Sequence, residues 1–166
     1  MSTTPTQISY EEIRGLAEQL AERFSGDGAR TNLDNLIRVL NVHIHYEDSY
    51  ESSILAKDGS FQINIPEMTS RLRDRFTIAH ELGHYILHYQ IVRDDCRPDL
   101  PIVFHRGDHD YAETQANIFA SALLMPETKY RRVFNQYQGD LTKVADAFEV
   151  SYAAAEVRAK TLNLKV

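Results

Sequence analysis

The stretch FTIAHELGHYILHY, residues 76–89, sets His80, His84 and His88 four residues apart, with Glu81 directly after the first. Around it Leu72, Phe76, Ala79, Leu82 and Gly83 recur at helical spacing, which predicts one helix from about Ser70 to about Gln90. On such a helix, positions four apart lie about 40° apart round the axis and about 6 Å apart along it, so two imidazoles can converge on one ion. His80 and His88, about 12 Å apart along the axis, cannot both reach nitrogen–metal bonds of about 2.0–2.1 Å. The pair His80/His84 encloses Glu81 in HELGH, the pattern in which two histidines ligate zinc and the glutamate acts as a base on water. The pair His84/His88 has no acid in the equivalent place, and His88 is expected to pack or to support a ligand. Gly83 sits in the helix interior, where glycine costs about 1 kcal/mol relative to alanine, so something is expected to approach the backbone closely there.

A catalytic zinc takes three protein ligands and keeps one position open. With His80 and His84 as two, the third comes from elsewhere, and Glu113, His109, His105, the pair His43/His45 and the acids of residues 91–108 are the candidates. Glu113 is favoured because it stands in ETQAN on a separate predicted helix, with small residues beyond it that let that helix pack tightly against HELGH. Asn117 lies one turn further on the same face, suited to hydrogen-bond a ligand histidine and fix its tautomer. His109, one turn before Glu113, competes for the ligand position or contacts substrate. His43 and His45 share a strand face that is expected to be polar and exposed.

The remaining chain reads as follows. Ser9 and Glu12 form a capping box before Ile13, Leu16, Ala17, Leu20, Ala21 and Phe24. After the break GDG at 26–28, Asn32 caps a short helix with Leu33, Leu36, Ile37 and Leu40 on its apolar face. Val42, Ile44 and Tyr46 then alternate with polar residues as in a half-buried strand, and SILA and FQINI flank the turn KDGS as a hairpin. Residues 91–108, with Pro98 and Pro101, read as a surface loop. A helix begins near Asp108 or Asp110 and ends before Pro126; another carries Tyr130, Val133, Phe134 and Tyr137 and ends at Gly139. Asp140 and Ser151 cap the last two, LTKVADAFE and YAAAEVRAKTL. These have a helix-turn-helix cadence, with Ala145, Val150 and Val157 as interior positions. The fold expected is α+β and mostly helical, with a small three-stranded antiparallel sheet.

Composition sets the outer limits. The 166 residues suffice for one domain, with 43% hydrophobic and 25% charged residues and no apolar run approaching the roughly 20 needed to cross a bilayer. The N-terminal MSTTPTQISYEE lacks the basic start and apolar core of a secretory signal, which makes a cytoplasmic location the expectation. Cys96, the only cysteine, excludes an internal disulfide and a thiolate-rich metal site, and in VRDDCRPD its acidic neighbours disfavour a nucleophilic thiolate. The net charge of -6 argues against broad binding to nucleic acid. The final predicted helix offers only Arg158 and Lys160, with Glu156 among them, so direct DNA binding is not expected.

FTIAHELGHYILH followed by ETQANIFASALLMP resembles the ImmA/IrrE family of metallopeptidases over roughly residues 40–165. The resemblance implies a zincin-like core with a gluzincin-like site: His80, His84 and Glu113 as metal ligands and Glu81 as catalytic base. It implies a single metallopeptidase domain over 1–166, with N-terminal helices (1–40), a sheet and catalytic core (41–126) and a C-terminal helical portion (127–166). It also implies a protein substrate, a helix-turn-helix transcriptional repressor or antitoxin-like regulator of a phage, mobile element or stress response. Zinc suits two histidines and a glutamate, while manganese and other divalent metals share the ligand type. Asn117 and His88 are the expected supports of the ligands, and Tyr85, His88 and His109 the candidates to stabilise an oxyanion or touch substrate. The alternatives are a metal-binding regulator that sequesters its partner uncut and a DNA-binding regulator using the C-terminal helices.

Overall fold

The computed structural model describes residues 6–25, 28–48, 50–90, 102–105 and 111–165, with residues 102–105 described by their backbone. Local sequence explains most of the helix ends. In α1 (Tyr10–Arg23) the Ser9 side chain accepts from the Glu12 N–H while the Glu12 carboxylate accepts from the Ser9 N–H, satisfying donors that a helix start leaves open. Asn32 caps α2 (Leu33–Leu40) and Ser70 caps α3 (Arg71–Gly83). Leu72, expected to face inward, is instead exposed near the start of α3.

Four strands form one mixed sheet in the order β1-β3-β2-β4: β1 (Val42–Glu47), β2 (Ser52–Leu55), β3 (Phe61–Pro66) and β4 (Ile102–His105). The β2–β3 hairpin closes where expected. The Gly59 N–H bonds to the Ala56 carbonyl, Gly59 takes φ +85°, and the Asp58 carboxylate accepts from the Ser60 N–H. Two features depart from a three-stranded antiparallel sheet. First, β1 runs parallel to β3, with Val42 opposite Phe61 and Ile44 opposite Ile63. Second, β4 adds an antiparallel edge to β2, with Ser53 opposite Phe104. Part of what reads as loop is therefore strand, because a four-residue edge directly after Pro101 carries little local pattern. As an edge strand, β1 buries Val42 and leaves Tyr46 exposed, so the expected alternation fades along it.

Helices meet the sheet through β1, against α2, and β3, against α3. β3 contributes Phe61, Ile63 and Ile65 to the core against α3, while α4 (Tyr111–Leu124) packs against both α1 and α3. The faces that meet are small: Ala17 and Ala21 on α1, and Ala112, Ala116 and Ala120 on α4, are fully buried. The close approach expected at Gly83 is that of α4. A Cβ there would lie 3.1 Å from the Ala116 Cα, 3.2 Å from its carbonyl oxygen and 3.2 Å from the Phe119 ring.

After α4 come α5 (Glu127–Gln136), α6 (Leu141–Phe148) and α7 (Tyr152–Thr161), with Asp140 and Ser151 capping the last two. Glu149, in the left-handed region at φ 51°, turns the chain between α6 and α7 and binds Arg30, Arg71 and Arg75. Ala145 and Val150 are buried as expected, but Val157 is 59% exposed and Arg158 takes the interior place. The Arg158 guanidinium, 2% exposed, donates to the Met125 carbonyl and pairs with Glu18 at 3.2 Å, tying α7 to α1.

Candidate metal centre

α3 and α4 lie close enough at Gly83 and Ala116 to bring three side chains to one point. His80 and His84 project from successive turns of α3 and its continuation, and Glu113 stands in the first turn of α4, where the helix dipole favours a carboxylate. The Nε2 atoms of His80 and His84 are 3.1 Å apart, and the Glu113 carboxylate lies 3.2 Å from the first and 3.0 Å from the second. A tetrahedral ion with bonds of about 2.0–2.1 Å holds its ligand atoms about 3.3 Å from one another, so the three donors are spaced for one cation. Among the described residues this is the group that can hold a metal ion, with its ligand atoms all within 4.8 Å.

Hydrogen bonds fix which nitrogen of each ring faces the shared point. The His80 Nδ1 lies 2.9 Å from the Asn117 Oδ1, which can only accept, so Nδ1 carries a proton and Nε2 is the nitrogen left to lend a lone pair once a cation replaces the proton shared with Glu113. Burial raises the Glu113 carboxyl, but hydrogen bonds from His80 and His84 and their charge outweigh it and hold the group at about 2. Glu113 is thus an anion at neutral pH, the form a ligand requires. The imidazoles themselves are 1% exposed, which removes competing water from two of the three donors.

Glu81, 2% exposed, neighbours His80 on α3. Its Oε2 accepts from the hydroxyl of Ser53, a fully buried residue of β2. Nothing local marks Ser53 for this role, because its partner lies 28 residues further along the chain. The sheet therefore fixes the Glu81 carboxylate, while α3 with its continuation and α4 place the three candidate ligands.

Past Gly83 the helix widens. His84–Gln90 form a π-helical turn where an α-helix was expected, a distortion that tends to occur at functional sites. The wider register re-aims His88, whose Nδ1 lies 3.0 Å from the Nδ1 of His84 and whose Nε2 lies 3.0 Å from the Gln115 Oε1. Tyr85 goes another way. Its ring stacks on Phe61 and Tyr89 at centroid distances of 4.6 and 5.8 Å, and its hydroxyl accepts from Gln90 at 2.8 Å, which holds it in the packing between helix and sheet. His43 and His45 lie exposed on one face of β1. His105 falls in β4, while His109, Cys96 and the acids between residues 91 and 101 lie outside the described residues.

A model of the M78 peptidase family, the IrrE N-terminal-like domain, matches residues 37–160. The chain belongs to this metallopeptidase family. The match runs from within α2 to within α7 and includes His80, Glu81, His84 and Glu113. Among solved structures, a Mycobacterium tuberculosis transcriptional regulator shares the fold with TM-score 0.58 at 16% identity, over 87% of this chain. The chain spans 45% of that regulator's length. No curated protein matches the sequence. The architecture is the mostly helical α+β, zincin-like fold that the family implies. No helix of the described residues is long and apolar enough to cross a membrane.

Proposed function

We propose that this chain is a cytoplasmic zinc-dependent endopeptidase that cleaves a protein substrate, a helix-turn-helix transcriptional repressor or antitoxin-like regulator of a phage, mobile element or stress response. The observation that carries the reading is the convergence of the His80 and His84 Nε2 atoms with the Glu113 carboxylate beside the buried Glu81. His80, His84 and Glu113 would hold the ion, which when bound supplies Lewis acidity toward a peptide carbonyl and lowers the pKa of water. Manganese and other divalent ions share the preference for this ligand set.

The side chains divide the remaining work. Glu81 takes the proton of the attacking water and returns it to the departing amine, so no covalent acyl intermediate forms. Ser53, donating to the Glu81 Oε2, holds that carboxylate in one orientation through both transfers. Asn117 fixes the His80 tautomer, and His88 stands against the far nitrogen of His84. Burial of both imidazoles excludes water that would compete for their lone pairs.

DNA recognition through the C-terminal helices fits the molecule less well. Arg158, one of the two basic residues α7 would offer, is buried in an ion pair with Glu18. The deciding experiment incubates the zinc-loaded protein with helix-turn-helix repressors encoded beside its gene and maps new termini by mass spectrometry. Cleavage that Glu81→Gln lowers about 10²–10⁴-fold, with zinc still bound, supports the reading. Full cleavage by that variant removes Glu81 as the base. Intact repressor held in a stable complex with the zinc-loaded protein replaces hydrolysis by sequestration.

A further inference from the structure

The hydrogen bonds behind His84 do not stop at His88. Gln115, 1% exposed on α4, accepts on Oε1 from the His88 Nε2 at 3.0 Å and from the Thr6 main-chain N–H at 3.0 Å. Its Nε2 donates to the Thr6 carbonyl at 2.9 Å. A side-chain amide thus pairs with both main-chain polar groups of a residue 109 positions upstream. Neither partner is a helix cap or a sheet ladder, so secondary structure gives no reason for the arrangement. Four groups in a row, His84, His88, Gln115 and Thr6, instead form one chain ending at a nitrogen of the metal centre.

The direction of this chain follows from the ligand role of His84. For Nε2 to offer its lone pair to a cation, Nδ1 must carry the proton and donate it to the His88 Nδ1. His88 then has its proton on Nε2 and donates to the Gln115 Oε1. Gln115 accepts there, helped by the Thr6 N–H, and its amide nitrogen is left to donate to the Thr6 carbonyl. Each donor meets an acceptor, and reversing one bond would put the proton of His84 on the ligating nitrogen. The main chain of Thr6 can serve only one orientation of the Gln115 amide, because a peptide N–H cannot accept and a carbonyl cannot donate. The N-terminal segment therefore sets the flip state of the amide that sets the tautomers of both histidines.

We propose that Gln115, anchored on the main chain of Thr6, is a positioning residue of the metal centre that acts through His88 to hold His84 in its metal-binding tautomer and orientation. The inference rests on His80, His84 and Glu113 being the metal ligands, and it makes the segment before α1 a working part of the site. Outer supports of metal ligands are commonly worth 10–100-fold in affinity, and one acting through an intervening histidine falls at the lower end.

The test measures zinc dissociation constants of the full chain by competition with a chromophoric chelator, with the visible spectrum of the cobalt-loaded protein as a second readout. Gln115→Met removes the acceptor, and Thr6→Pro removes the main-chain N–H without altering any side chain of the metal centre. Both are expected to weaken zinc about tenfold and to shift the cobalt bands, and the double variant to add little, because the two act in one chain. Thr6→Ala, which keeps the N–H, is expected to bind as the parent does. Unchanged zinc affinity and cobalt spectra in folded Gln115→Met and Thr6→Pro overturn the proposal, even when metal-free stability falls. Thr6→Pro carries the test alone should Gln115→Met fail to fold. A parent chain that takes up no zinc is a separate result, which overturns the ligand assignment itself.

Discussion

Gly83→Ala sets two effects against each other. By helix propensity alone the substitution stabilises α3 by about 1 kcal/mol. The new Cβ, however, would meet the Ala116 Cα at 3.1 Å and its carbonyl oxygen at 3.2 Å, and neither is the end of a flexible side chain. The Phe119 ring, also at 3.2 Å, is fully buried and has little room to turn. Overpacking of this kind costs about 1–3 kcal/mol. The net expectation is a loss of about 0–2 kcal/mol, because α4 is backed by α1 and cannot retreat freely. The larger effect falls on the metal. Glu113 lies one turn from Ala116, and a shift of a few tenths of an ångström between the helices exceeds the roughly 0.2 Å latitude of a metal–ligand bond. Zinc affinity is expected to fall about tenfold or more. Urea unfolding in the presence of a chelator measures the first effect, and zinc competition the second. A variant that is about 1 kcal/mol more stable and binds zinc unchanged would refute the claim that helix contact at Gly83 positions Glu113.

Four further outcomes are expected. Ser53→Ala lowers turnover while leaving bound zinc stoichiometric, measured by peptide hydrolysis beside metal analysis; metal loss in step with activity would contradict a role through Glu81. Removal of the ion by a chelator lowers the melting temperature, and zinc at about 100 times its dissociation constant restores about 2.7 kcal/mol, read by thermal unfolding. Arg158→Leu leaves the Met125 carbonyl without its buried donor and costs about 1–3 kcal/mol in urea unfolding, with no change in duplex DNA affinity. Burial raises the Glu149 carboxyl, but Arg30, Arg75 and Arg71 more than offset this and hold it below its ordinary 4.5. Its contribution is therefore complete above pH 4.5 and lost as the pH falls through the lower folded value, so Glu149→Gln flattens the acid limb of the stability curve.

What the sequence makes legible is what it encodes locally. The capping box of α1, the caps Asn32, Ser70, Asp140 and Ser151, the αL turn at Gly59 and the periodic faces of α1, α2 and α4 each depend on residues a few positions apart, and all are visible in the string. The meeting of His80 and His84 with Glu113 is legible for a different reason: helical spacing fixes the first two, and the small residues after Glu113 announce a helix able to approach. Distant pairings leave no such trace. Nothing near Val42 says that β1 will run parallel to β3, and the four residues of β4 become a strand only because β2 offers an edge. The π-helical turn at His84–Gln90 has the same apolar spacing as an α-helix, so periodicity cannot separate the two. Arg158 reads as a surface charge until Glu18 and the Met125 carbonyl are seen around it. Val157 was expected inside for want of that partner.

The packing of α1 on α4, with Gln115 gripping Thr6 across 109 residues, also governs when during biosynthesis the site can form. A ribosome adding about 5–20 residues per second leaves α1 waiting roughly 5–20 s for its partner, with the apolar stripe of Ile13, Ala17 and Ala21 uncovered. Closing so long a loop also slows refolding of the finished chain. If His80, His84 and Glu113 take up a cation as proposed, its capture would be a late event, and the nascent polypeptide would pass through that uncovered interval without an ion to tie α3 to α4.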